Sequence, residues 1–275
     1  MPRFRLTLAY DGTEFHGWQR QEPPGLPPLR TVQGVLEAAV RDVVRAPVLV
    51  VGASRTDAGV HALGQVAAFS AETSVPVERM PLAITSRLPE DVQVREAAIV
   101  ADDFDPIGDC RSKGYRYRVL HTGPPAHWPD LFQRRTTYFS YHALDPDRMD
   151  EAARLLEGEH DFASFAQASH GRETTVRTIH SCRVRATGPY ALELDVSGSG
   201  FLYNMVRIVA GTLVEVGRGR LVPEDMTRII AAQDRRAAGP TLPPEGLCLM
   251  WVRYGEGPSA CAPTSGAPPG TPAEE

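Results

Sequence analysis

The stretch Val48-Leu49-Val50-Val51-Gly52-Ala53-Ser54-Arg55-Thr56-Asp57-Ala58-Gly59-Val60-His61, with Gly64-Gln65-Val66-Ala67-Ala68-Phe69 just beyond it, decides how this chain is read. Two short apolar runs flank a turn that holds an acid, a base and two small residues. Apolar runs of this length, bounded by turn residues, read as buried strands. Chemistry is usually carried by loops that rigid strands hold in place. Arg55 stands two residues before Asp57, and a neighbouring guanidinium would hold a carboxylate ionised where water is scarce. An ionised, positioned carboxylate can serve as nucleophile or base. Turn chemistry alone also accounts for Asp and Gly here, as a tight bend with a surface ion pair. The residues by themselves leave both readings open.

Outward from this loop, Phe4, Leu6 and Leu8 alternate with polar residues as in a half-buried strand. Residues 22–30 form a proline-rich loop that cannot be helical. Thr31 can cap a helix bearing Val32, Val35, Leu36, Ala39, Val40 and Val43 on one face, closed by Pro47. A helix is expected over 77–87, with Pro76 at its start, then strands over 92–100 and 115–120. The second half repeats this vocabulary. It predicts a helix over 146–156, paired strands over 176–186 and 190–197, and a buried helix over 201–216 stopped by Gly217. A helix over 223–233 and a strand over 247–254 follow. Strands and helices alternate without the regular spacing of a parallel sheet, which predicts an α+β fold with largely antiparallel sheets. Residues 1–110 and 111–254 read as two α/β halves, the first carrying the Asp57 loop. Residues 255–275 hold five prolines, four glycines and four alanines but no Val, Ile or Leu, and read as a disordered tail.

The 275 residues, 42% hydrophobic, suffice for one large domain or two smaller ones. No apolar run approaches a membrane span, and the N-terminus starts in a strand pattern without the apolar region of a signal peptide. Cys110, Cys182, Cys248 and Cys261 show no paired spacing. This argues against a zinc site or disulfide framework and suits a reducing cytoplasm. A net charge of -5 does not by itself mark a nucleic-acid binder. Yet Lys113 is the only lysine. The arginine bias follows from a GC-rich genome as readily as from function, but arginine suits phosphate contact and stacks on bases.

Further blocks extend the pattern. Tyr10-Asp11-Gly12, Phe15, Gly17-Trp18-Gln19-Arg20-Gln21 and Thr31-Val32-Gln33 precede the Asp57 loop. Tyr115-Arg116-Tyr117, then Gly158, His160-Asp161-Phe162, Ser164-Phe165 and Arg177-Thr178-Ile179, follow it. Phe201-Leu202-Tyr203-Asn204-Met205-Val206-Arg207 and Pro244-Glu245-Gly246-Leu247 complete the order. Together, from about residue 4 to 254, they resemble the tRNA pseudouridine synthase A family. The resemblance implies the pseudouridine synthase fold, two similar α/β halves with an active-site cleft between them. It implies isomerisation of uridine to pseudouridine at positions 38, 39 and 40 of the tRNA anticodon stem-loop by a homodimer, with no metal or cofactor.

The same resemblance makes Asp57 the catalytic nucleophile, with attack on the sugar and assistance to glycal formation both open. The apolar helix around Arg207 calls for a buried acidic partner, and the resemblance makes that partner Asp57. Tyr115 is placed against the target base, where it can stack and take a proton, while Tyr117 reads as core. The resemblance has Arg55 enter the RNA stem to hold the base outward. Trp18, Gln19 and Arg20 are expected to form an RNA-facing loop, Trp18 being equally readable as buried, and His61 is expected to pack and hydrogen-bond in the loop. The chain departs from the family pattern in four places. Ser54 replaces glycine, Ile107 replaces an arginine, Thr85-Ser86-Arg87 replaces an asparagine motif, and the insertion at 22–30 is long. A synthase with a divergent target position and a non-catalytic RNA-binding or RNA-folding protein on the same scaffold remain as rivals. An acid-dependent hydrolase does not, since no second paired carboxylate accompanies Asp57.

Overall fold

A computed structural model describes residues 1–25, 27–123, 130–167 and 174–255. The first strand, β1 (Arg3–Tyr10), alternates as expected, with Phe4, Leu6, Leu8 and Tyr10 turned into the core. It pairs antiparallel with β3 (His61–Ser70) on one side and β4 (Val92–Val100) on the other. Between β1 and β3 runs α1 (Val32–Val44). Thr31 caps it, its side chain accepting from the Gly34 N–H, and Arg45 ends it in the left-handed region. The face of α1 that holds Val32, Leu36, Ala39 and Val40 is buried. Val32, Leu36 and Val40 each contribute ~1.5–3 kcal/mol on burial, against ~1 kcal/mol for a cap, so packing rather than the cap holds the helix.

The second half supplies β5 (Cys110–His121), β7 (Gly158–Asp161), β8 (Val176–Gly188) and β9 (Ala191–Gly198). With β10 (Leu247–Tyr254) they complete one sheet of order β4-β1-β3-β10-β5-β9-β8-β7. Two short strands lie off this path, β2 (Val51–Gly52) on β3 and β6 (Tyr138–Ser140) on β5. Among the described residues only the β10–β3 and β5–β6 pairs are parallel. The last strand in sequence thus lies between β3 and β5, parallel to the first and antiparallel to the second. The helices α2 (Met80–Thr85), α3 (Pro146–Arg154), α4 (Met205–Gly217) and α5 (Asp225–Ala232) complete the α+β fold, and one continuous core joins them to the sheet. Among the described residues no helix is long and apolar enough to cross a membrane. The tail expected over 255–275 lies, past Gly255, outside the described residues.

Four expectations change. The apolar run over 48–52 pairs with β3 only at Val51 and Gly52. The reason lies in α1, whose buried side chains take the backbone of Val50 instead: Glu37 Oε1 accepts its N–H and Gln33 Nε2 donates to its carbonyl. The helix expected over 77–87 is a 3-10 turn, Val77–Arg79, followed by α2 with Pro81 in its first turn. Proline has no N–H to continue a preceding helix but suits the start of a new one. The helix expected over 201–216 begins only at Met205, because Asn204 takes φ 60°. Its stop is not Gly217 but Gly219, at φ 75°. Gly217 stays helical where α3 crosses α4, since a Cβ there would lie 2.6 Å from Met149 Sδ.

Candidate active site

The loop after β2 is fixed before any side chain reaches outward. Ala53 donates to the Val66 carbonyl, and the Gln65 carboxamide clamps Ser54, accepting its N–H (3.2 Å) and donating to its C=O (2.7 Å). The N-terminal segment wraps the other side, with Trp18 N–H on the Thr56 carbonyl and Gly59 N–H on that of Phe15. Side chains then alternate. Ser54 and Thr56 turn inward, their hydroxyls 2.7 Å from Tyr115 Oη and 2.8 Å from Tyr10 Oη, while Arg55 is exposed. Among the described residues Arg55 makes no hydrogen bond or ion pair. It therefore does not hold the Asp57 carboxylate, as its place two residues away suggests, and its fork is free for another ligand.

The cation facing Asp57 is Arg207, on the first turn of α4. Its Nη1 lies 3.5 Å from Asp57 Oδ2, with the two side chains 16% and 22% exposed. Arg207 is held from two further directions: Nε donates to the Leu242 carbonyl at 2.6 Å and Nη1 to Asn204 Oδ1 at 2.8 Å. Asn204, absent from the sequence candidates, is therefore part of the site. Its side-chain amide also donates to Gln167 Oε1. The signal available in sequence was slight: it is the only asparagine in the chain, three residues before the helix arginine.

Burial pushes the Asp57 carboxyl above the usual range, and the Arg207 charge pulls against it without fully offsetting it. The Tyr115 phenol is pushed up to about 12, first by burial, with the Ser54 hydrogen bond lowering it and the nearby Asp57 charge raising it. Tyr115 is thus protonated at neutral pH. Its ring is braced edge-on by Phe201, centroids 5.2 Å apart. Tyr117, on the same strand face, donates to the Pro243 carbonyl and is fully buried, while Arg116 faces the other side and pairs with Glu193 and Asp195.

Asp57, Tyr115 and Arg207 are therefore gathered, while Arg55 is exposed to solvent. The other two candidates lie elsewhere. Trp18 is 1% exposed, and a Cβ on Gly52 would meet its ring at 2.3 Å, so its indole packs in the core instead of facing RNA. Arg20 commits its guanidinium to the buried Glu37 (2.7 Å) and to Glu22 (3.3 Å). His61 bonds within the fold, Nδ1 accepting from Gly12 N–H and Nε2 donating to the Arg135 carbonyl. A cavity of about 330 Å³ bordered by Tyr10, Asp11, His61 and Arg118 does not include the Asp57 cluster. Among the described residues no three His, Cys, Asp or Glu side chains gather as metal ligands.

A partly buried carboxylate, one guanidinium and a protonated phenol, set on a mainly antiparallel sheet, fit proton and sugar chemistry on a nucleobase. The profile of the tRNA pseudouridine synthase family matches residues 7–107 and 152–255, and the chain belongs to that family of isomerases. It is 45% identical to the tRNA pseudouridine synthase A of Moorella thermoacetica over 254 residues, 92% of this chain and 100% of that one. It is 44% identical to that of Myxococcus xanthus over 266 residues, 96% of each chain. Against that of Geobacillus kaustophilus the identity is 44% over 253 residues, covering 92% and 94%.

Proposed function

We propose that this protein isomerises uridine to pseudouridine in tRNA, at positions 38, 39 and 40 of the anticodon stem-loop, with Asp57 as the catalytic nucleophile. The observation that carries the proposal is the Asp57 carboxylate facing Arg207 beside the Tyr115 phenol. The reaction breaks the N1–C1′ bond, turns the uracil and forms a C5–C1′ bond, while the C5 hydrogen is lost and N1 gains one. Nothing is oxidised and no phosphate is cleaved. Asp57 can attack C1′ directly or remove the C2′ proton to give a glycal. Arg207 keeps it ionised for either task, and a deuterium isotope effect at C2′ separates them. Tyr115 stacks on or donates to the uracil while it is detached. Stacking a displaced base on an aromatic ring is a common device of base-modifying enzymes.

Choice among adjacent uridines cannot rest on one fixed base contact, so the enzyme reads tRNA shape and phosphates, and binding weakens steeply with salt. The free guanidinium of Arg55 supports its role in holding the base outward. The protein acts in the cytoplasm as a homodimer whose two subunits both touch the tRNA. Light scattering that finds a fully active monomer at micromolar concentration overturns the dimer. The central test is incubation with an unmodified tRNA transcript and mapping of every pseudouridine formed. Modification at 38–40 is expected. Modification confined to the T-loop or D-loop makes the target divergent, and tRNA binding without any pseudouridine makes the protein a binding module.

A further inference from the structure

The Tyr115 hydroxyl has one hydrogen-bond partner among the described residues, Ser54 Oγ at 2.7 Å, and Ser54 Oγ has none besides Tyr115. Both side chains are buried. Neither oxygen is free to wander. The phenol ring is braced by Phe201, and the Ser54 backbone is clamped at N–H and C=O by Gln65, itself 0% exposed. A phenol proton prefers the ring plane, so it has two directions to choose from, and a fixed partner selects between them. When Ser54 donates, the Tyr115 O–H is left to point in the other in-plane direction; when Tyr115 donates, a lone pair is presented there instead.

Resting on the reading of the site as a uridine isomerase, we infer that Ser54 is a positioning residue: its hydroxyl sets the direction of the Tyr115 O–H toward the uracil, acting through Tyr115 without touching substrate. The substitutions Ser54→Ala, Ser54→Gly and Ser54→Thr test this in the full chain with unmodified tRNA transcript. Ser54→Ala and Ser54→Gly should slow single-turnover pseudouridine formation about five- to tenfold, the worth of one neutral hydrogen bond. KM should stay at the wild-type value, and Ser54→Thr should recover most of the rate. A purely structural role would raise KM or lower the melting temperature in step with the rate, and that result overturns the proposal. So does an unchanged rate in both hydroxyl-free variants. A second readout needs no activity. With tyrosine labelled at Cζ, the Tyr115 carbon resonance at neutral pH should shift between the wild type and Ser54→Ala, and an unchanged resonance refutes the link. If the wild type forms no pseudouridine, the functional reading fails, and the spectroscopic arm alone judges the Ser54–Tyr115 bond.

Discussion

Replacing Arg207 by leucine removes the one cation that faces Asp57. At the observed 3.5 Å, two unit charges attract by about 5 kcal/mol at an effective dielectric near 20. Both side chains are partly open to water, and the same Nη1 also serves Asn204. We therefore take about half, ~2–3 kcal/mol, as the loss from the ionised carboxylate. Since 1.36 kcal/mol is a factor of ten, single-turnover pseudouridine formation should fall on the order of 100-fold at pH values where the wild-type carboxyl is itself only partly ionised. The sign of the pH dependence follows. Burial already holds the Asp57 carboxyl above its ordinary value, and removing the opposing cation pushes it higher. The deficit should therefore shrink as pH rises, by about tenfold per unit, until the variant carboxyl is ionised. Arg207→Lys keeps a charge but loses the fork that also holds the Leu242 carbonyl, and should fall between. The assay is a rate profile from about pH 5 to pH 9, with circular dichroism to verify the fold. A deficit equal at every pH would show that Arg207 acts otherwise than by keeping Asp57 ionised. No deficit at all would remove it from the mechanism.

Three other outcomes are expected. Asp57→Asn should abolish turnover, keep tRNA binding, and melt no lower than the wild type at neutral pH. The folded-state pKa is raised, so ionisation of Asp57 costs stability as pH rises through it, and asparagine avoids that cost; a lower melting temperature at pH 7 with equality in acid would reverse the sign. Arg55→Ala should change stability by less than about 0.5 kcal/mol yet weaken tRNA binding, with the salt slope reduced by about 1; an unchanged titration curve at every salt concentration would place Arg55 off the RNA path. Gly52→Ala should lower the denaturant midpoint by the equivalent of about 1–3 kcal/mol, because its Cβ would lie 2.3 Å from the Trp18 ring; an unchanged midpoint would contradict that packing.

What could be read from the sequence was what is local. The Thr31 cap, the buried face of α1, the alternation of β1 and the full span of β10 rest on periods and caps that neighbouring residues carry. The errors arose where distant groups override the local pattern. Residues 201–204 are as apolar as the helix that follows, and only the left-handed turn at Asn204 holds them out of it. Val48 to Val50 look like strand, but side chains of α1 take the Val50 backbone. Arg55 stands two residues from Asp57 in sequence yet is exposed and makes no bond to it. Arg207, 150 residues along the chain, is its partner. That pairing was legible only because an arginine in an apolar helix needs an acid and because the family pattern supplies one. The Ser54–Tyr115 bond depends on how β5 lies against the loop, which no spacing records.

The position of β10 has a consequence for how the enzyme is made. Cys248 is registered against His61 of β3, and Leu249 against both Ala62 and Tyr115, so residues near the end of the folded chain splice the strand after the Asp57 loop to the strand of Tyr115. On the ribosome, Tyr115 precedes Leu249 by more than a hundred residues, on the order of ten seconds of synthesis. During that interval the facing edges of β3 and β5 lack their shared neighbour, and unpaired edges invite wrong partners. A nascent chain cut short before Leu247 therefore cannot seat Tyr115 beside Asp57. Joining of the Asp57 loop to the Tyr115 strand waits on the final strand, and the strand edges most need shielding just before it emerges.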